Sequence, residues 1–150
     1  AMLESLDMHT VNKIIAVVPQ SEIDIPKAVE YAMSRASLSP SLVLSADFRV
    51  PINEEELGKS GAALIPFDLQ DLFSGTELPF LENTISVHSR EVNDPEKIYF
   101  STLWRKTLER LSRNHALIVI TAPRKARNRS LPDSYIVAAL ADEFIVIADE

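Results

Sequence analysis

The chain has 150 residues, of which 46% are hydrophobic and 25% are charged, and this composition predicts one globular domain rather than a disordered segment. Its formal net charge of -7 argues against nucleic-acid binding, and its lack of cysteine excludes disulfides, thiolate metal sites and cysteine nucleophiles. No apolar run reaches the ~20 residues that a membrane span needs, so we expect a cytoplasmic domain or the cytosolic part of a larger protein.

Short apolar runs alternate with helical patterns along the chain. The runs predict strands at residues 13–18, 42–46, 84–87, 116–120 and 144–148. Helical spacing and capping residues predict helices at residues 27–36, 69–73, 94–113 and 132–141, and a short helix that begins in the acidic run 54–56. In the longest helix, Phe100 and Trp104 are expected to pack in the core. The alternation predicts an α/β three-layer sandwich with a mostly parallel central sheet flanked by helices.

The first loop, residues 19–26, follows the first predicted strand, where a nucleotide-binding domain of this architecture holds phosphate. Such a loop curls its backbone N–H groups around the anion, which needs the positive φ and close approach that glycine permits. The first loop has no glycine, two prolines without an amide donor, and the carboxylates of Glu22 and Asp24, which repel an anion. We therefore expect no phosphate-binding nest here.

Three segments follow one another at spacings typical of a known family. The first is the strand at 13–18 with Lys27, the second is 44–51 (Leu-Ser-Ala-Asp-Phe-Arg-Val-Pro), and the third is 118–123 (Ile-Val-Ile-Thr-Ala-Pro), followed by Asp133 and Ala-Leu-Ala-Asp at 139–142. Together with the leucine-rich stretch 69–75, they resemble the bacterial tyrosine kinases (BY-kinases) of capsule and exopolysaccharide assembly, a branch of the MinD/ParA-like P-loop group. The resemblance spans nearly the whole chain and implies a P-loop NTPase-like fold.

Most residues of the family's nucleotide-binding motifs are substituted in this chain. Against GxxxxGK[ST] anchored on Lys27, Ser21 and Pro26 stand at the glycine positions and Ala28 at the magnesium-binding hydroxyl. Ser45 replaces the first aspartate of the second segment, and Thr121 replaces the aspartate of the third. The vestigial nucleotide-site positions are Ser21, Pro26, Lys27, Ala28, Ser45, Asp47 and Thr121. Because phosphoryl transfer depends on these electrostatic elements, we expect a pseudokinase with no catalytic residue, metal ion or cofactor.

Two vestigial positions and one cationic segment are open to a structural as well as a functional interpretation. Lys27 is either an anion ligand or a solvated helix lysine, and Asp47 is either a ligand at the end of a strand or a loop carboxylate. The basic loop, residues 124–129, is either a surface for an acidic partner, phosphate or lipid head group, or a solvated face. Its four cations are Arg124, Lys125, Arg127 and Arg129.

The resemblance implies a scaffold or regulator of capsular or exopolysaccharide biosynthesis and export, at the cytosolic face of the inner membrane. Its implied partner is a membrane-embedded polysaccharide co-polymerase, the rest of its own chain, or a second copy. One alternative is an active tyrosine kinase or ATPase that binds ATP and magnesium through Lys27, Asp47 and the basic loop. Another is an adaptor unrelated to polysaccharides. We expect residues 1–150 to form a single domain. The family's chains continue through another helix, strand and helix, so either this fold is a shortened version or the sequence is truncated at its C-terminus.

Overall fold

One central sheet organises the computed structural model, which describes residues 13–57, 60–121 and 133–148. Within these residues the sheet has six strands: β1 (Ile14–Pro19), β2 (Ser41–Ser45), β3 (Ala63–Phe67), β4 (Thr84–His88), β5 (Ala116–Ile120) and β6 (Glu143–Ile147). Their order is β3-β4-β2-β5-β1-β6, and every neighbouring pair is parallel. The predicted α/β sandwich with a parallel sheet is confirmed, and the five predicted strands match to within one residue at each end.

Helices cover both faces of this sheet. They are α1 (Ile25–Leu38), preceded by a 3-10 turn (Glu22–Asp24), α2 (Glu54–Leu57), α3 (Leu69–Phe73), α4 (Pro95–Tyr99), α5 (Thr102–Asn114) and α6 (Asp133–Ala138). The first two pack on one face and the last four on the other. None of the helices in the described ranges is both long and apolar enough to cross a membrane.

The central strands are apolar on both faces because each face is covered by helices. In β2, Val43 joins the core under α1, whereas Leu42 and Leu44 join the core under α5. Successive side chains of a strand point to opposite faces, so a run buried on both sides shows no polar alternation. An inner strand is therefore recognisable as a strand by its uninterrupted apolar run, although the edge strand β6 carries a similar run.

Strand β3 was not predicted from the sequence. It contains Pro66 and is buried only at Phe67, so it lacks the buried apolar run of the inner strands. Proline removes a ladder donor, but an edge strand has one side without a partner and tolerates that loss. The position of β3 at the end of the sheet explains why a proline is accommodated there. Strand β6 at the other edge was predicted as a buried strand, and this was wrong, because none of its residues is buried.

The predicted helix at 94–113 is two helices, and this part of the prediction was wrong. The break lies at Ser101, whose Oγ accepts a hydrogen bond from the Trp104 amide at 3.0 Å and donates one to the Ile98 carbonyl at 2.7 Å. This N-cap starts α5 afresh. Trp104 is fully buried as expected, but Phe100 is 59% exposed because it lies at the break.

Candidate functional site

The vestigial nucleotide-site positions lie at the carboxyl edge of the sheet. Strands β2, β5 and β1 are neighbours, and their ends stay connected: the Ala46 amide donates to the Ile120 carbonyl at 2.8 Å, and the Thr121 amide to the Val17 carbonyl at 3.2 Å. Ser45 ends β2, Thr121 follows β5, and the first loop follows β1. Open α/β sheets bind ligands at this edge.

The first loop is folded as helical backbone rather than as an open ring of amides. The Asp24 amide donates to the Ser21 carbonyl at 3.0 Å, and the Ile25 amide donates to the Glu22 carbonyl. Pro26 has no amide hydrogen and sits in the first turn of α1. Three consecutive positions of the loop therefore offer no free N–H group to a ligand.

The carboxylate of Asp24 accepts hydrogen bonds from a residue of the same loop and so holds the loop closed. Its Oδ2 accepts hydrogen bonds from the Ser21 amide at 3.1 Å and from the Ser21 hydroxyl at 2.9 Å. The residue is only 3% exposed, and its Oδ1 is buried without a hydrogen-bond partner in the described structure. The sequence indicated a repelling carboxylate in this loop, but not that it turns inward.

The residues present do not fit a magnesium–triphosphate group held in the manner of the resembled family. A phosphate in the first loop would meet engaged amides and a carboxylate. Ala28 packs in the core under α1 and has no oxygen for a metal, while Lys27 is exposed on the first turn of α1. The Thr121 hydroxyl is buried without a hydrogen-bond partner among the described residues, and a neutral hydroxyl is a weaker metal ligand than a carboxylate.

Asp47 belongs to a tight turn just after β2. Its Oδ1 accepts a hydrogen bond from the Val50 amide at 3.4 Å, and its own amide donates to the Ser45 Oγ at 3.4 Å. Beside the turn, the Tyr99 hydroxyl donates to the Ala46 carbonyl at 2.7 Å. Burial raises the pKa of Tyr99, and the negative charges of Asp133 and Asp47 add to the shift. Tyr99 therefore stays neutral and holds this edge in place.

An ion network around Arg49 joins the same turn to two helices. Its Nε donates to Asp133 Oδ2 at 3.0 Å and its Nη2 donates to Glu96 Oε2 at 2.8 Å. These bonds connect the turn after β2 with α4 and α6. The hydrogen bond with Asp133 is the main cause that raises the pKa of Arg49. The sequence did not reveal this network, because its members are 47 and 84 positions apart.

The basic loop, with Arg124, Lys125, Arg127 and Arg129, lies outside the described residues, so the structure does not test it. Helix α6, which contributes Asp133 to the Arg49 network, begins four residues after Arg129. No cluster of three or more metal-ligating side chains occurs within residues 13–57, 60–121 and 133–148.

Two cavities lie at the opposite, amino edge of the sheet. One, of about 140 Å³, is lined by the end of α1 (Met33), the start of β2 (Ser41) and the segment before β4 (Phe80). The other, of about 350 Å³, lies between α5 (Leu108) and the start of β1 (Ile14). Neither includes a vestigial nucleotide-site position.

Solved structures resemble the chain, whereas no family model and no curated protein matches it. A crystal structure of the VpsO kinase domain aligns with 90% of this chain and 68% of its own at a TM-score of 0.63 and 19% identity. A crystal structure of the chimerical protein CapA2B2 aligns with 96% of this chain and 65% of its own at a TM-score of 0.63 and 12% identity. The chain thus spans about two thirds of either structure. At these identities the likeness shows the fold alone, an α/β sandwich of the kind that the VpsO kinase domain adopts.

Proposed function

We propose that the chain is a catalytically degenerate tyrosine-kinase-like domain that acts as a scaffold or regulator in capsular or exopolysaccharide biosynthesis and export. The closed first loop carries this proposal. Its amides at Ser21, Asp24 and Ile25 are bonded within the loop, and the Asp24 carboxylate turns into the loop that, by the resemblance, would bind phosphate.

Electrostatics support the loss of catalysis. Phosphoryl transfer is accelerated by positioned donors and magnesium that stabilise the charge spread over the phosphoryl oxygens. Here Asp24 adds negative charge in the loop, and Ala28 and Thr121 stand where the resembled family has metal ligands. Without these elements, a bound nucleotide would lack the groups that lower the barrier.

The polysaccharide role and its partner rest on the resemblance of the three segments, supported by the fold shared with a kinase domain. We place the domain at the cytosolic face of the inner membrane, where a polysaccharide co-polymerase, the rest of its own chain or a second copy is its partner. Cells that lack the chain should then export less polymer. Unchanged export would favour an adaptor unrelated to polysaccharides.

The rival activity is an ATP-dependent kinase or ATPase with a rebuilt site. One observation favours it: Lys27 is exposed at the start of α1, at the sheet edge that also carries Asp47. The proposal and its rival differ in whether magnesium and ATP are turned over at that edge.

Turnover of ATP by the purified chain tests the proposal directly. We expect no magnesium-dependent hydrolysis or autophosphorylation, and no change on Lys27→Ala. The matched control is Lys13→Ala, an exposed lysine at the amino end of β1. Turnover that Lys27→Ala abolishes and Lys13→Ala preserves would establish the rival. Weak turnover equal in all three proteins indicates a contaminant.

A further inference from the structure

We propose that the carboxylate of Asp24 is a built-in anion, which takes the place of a phosphate ligand in the first loop and holds that loop closed. Asp24 lies between the end of β1 and the start of α1, the position at which strand–loop–helix sites bind phosphate. The inference deepens the proposed loss of nucleotide chemistry and is independent of any role in polysaccharide export.

The hydrogen bonds of Asp24 are those that a bound anion would receive. Oδ2 accepts from both the amide and the hydroxyl of Ser21, at 3.1 and 2.9 Å. Ser21 occupies the first glycine position of the resembled motif. Hydrogen bonds to an ionised acceptor are about twice as strong as neutral ones, so this pair of bonds stabilises the closed loop.

Ser21 supplies the hydrogen bonds that compensate the buried charge. No ion pair among the described residues reaches Asp24, although the residue is 3% exposed and one of its oxygens has no hydrogen-bond partner. A buried carboxylate without compensation is strongly unfavourable. Asp24 is the N-cap residue of the 14-residue helix α1, whose N-terminus carries a partial positive charge. The Asp24 side chain makes no hydrogen bond to the amides of α1, so the carboxylate is held by Ser21 rather than by the start of the helix.

A closed loop with its own anion has two consequences. The domain folds without a nucleotide, and the Asp24 carboxylate already occupies the position that added phosphate would need. Removing the carboxylate should therefore free the Ser21 amide and hydroxyl, which the natural chain does not offer, to bind phosphate.

The test uses Asp24→Gly and inorganic phosphate, with melting temperatures compared against chloride at equal ionic strength. We expect the variant to melt lower than the wild type and to gain about 3 °C or more from phosphate beyond the gain of the wild type. The matched control is Glu22→Gln, which removes an exposed charge from the same turn. This control should respond to phosphate as the wild type does, because general salt effects act on both alike.

A folded Asp24→Gly protein with no extra gain from phosphate would overturn the proposal, as would a wild type that gains as much as the variant. If Asp24→Gly does not fold, Asp24→Asn keeps the shape and removes only the charge. It should raise the unfolding equilibrium constant about tenfold or more relative to Glu22→Gln. Equal stability of these two variants would show that Asp24 is an ordinary turn residue. ATP turnover is measured in a separate assay. A negative result in the phosphate test therefore does not decide whether the proposed function is correct.

Discussion

Asp24 is 3% exposed and Asp133 is 2% exposed, but each carboxylate is compensated differently. Asp24 relies on hydrogen bonds from Ser21 in its own loop, whereas Asp133 relies on the guanidinium of Arg49, which also binds Glu96. A buried ion pair adds little net stability as a whole, but removing one partner leaves an uncompensated charge. The Arg49 network should therefore be sensitive to single substitutions.

Arg49→Met should lower the free energy of unfolding by about 3 kcal/mol, because Asp133 would remain buried without its cation. Urea unfolding at neutral pH measures this loss. The matched control is Arg90→Met, which breaks the more exposed pair with Asp68 and should cost much less, because solvent screens that pair. The double variant Arg49→Met/Asp133→Asn should recover part of the loss. A cost for Arg49→Met no larger than the control would contradict the role assigned to the network.

At the scale of elements, the break between α4 and α5 positions the residues that support the carboxyl edge. Tyr99 ends α4 and contacts the turn after β2, whereas Trp104 lies in the first turn of α5 and packs in the core. A continuous helix would turn one of them away from its partner. The capping hydroxyl of Ser101 fixes both orientations.

Ser101→Ala should destabilise the domain by about 1 kcal/mol, because the Trp104 amide loses its cap. Ser112→Ala is the control: its hydroxyl bonds the Glu109 carbonyl within α5, and alanine is the better helix former there. The two substitutions should therefore shift the melting temperature in opposite directions. A Ser101→Ala protein that melts no lower than the Ser112→Ala protein would contradict the assigned cap.

Elements formed by local sequence patterns could be predicted, whereas contacts between residues distant in sequence could not. The buried strands are readable because sheet faces covered by helices demand uninterrupted apolar runs such as 116–120. The edge strand β3 could not be predicted in this way, because it contains Pro66 and its exposed and half-buried residues need not form an apolar run. Strand ends are readable in the same way: Ser45 and Thr121 lie at the carboxyl ends of neighbouring strands. The inward turn of Asp24 and the Arg49–Asp133 pair depend on folded geometry that no local pattern encodes.

At the scale of the whole molecule, the two edges of the sheet differ in character. The carboxyl edge carries the closed first loop and the Arg49 network, whereas the two cavities described above open at the amino edge. The described residues that flank the basic loop in sequence, Thr121 and Asp133, follow β5 and begin α6. On a chain with a net charge of -7, four cations in six residues create a local positive potential. We therefore expect partners to be recognised at the carboxyl edge.

Reversal of Arg124, Arg127 and Arg129 to Glu tests that expectation. Complementary charges speed association and are screened by salt, so the triple variant should bind an acidic partner more slowly, and wild-type binding should weaken as salt rises. In cells, the variant should reduce polymer export while circular dichroism shows an intact fold. The matched control reverses three exposed cations of α5, Arg105, Lys106 and Arg113, with the same change in net charge. If both variants bind and export as the wild type does, the basic loop is a solvated face. If both lose function equally, net charge rather than this loop controls the interaction.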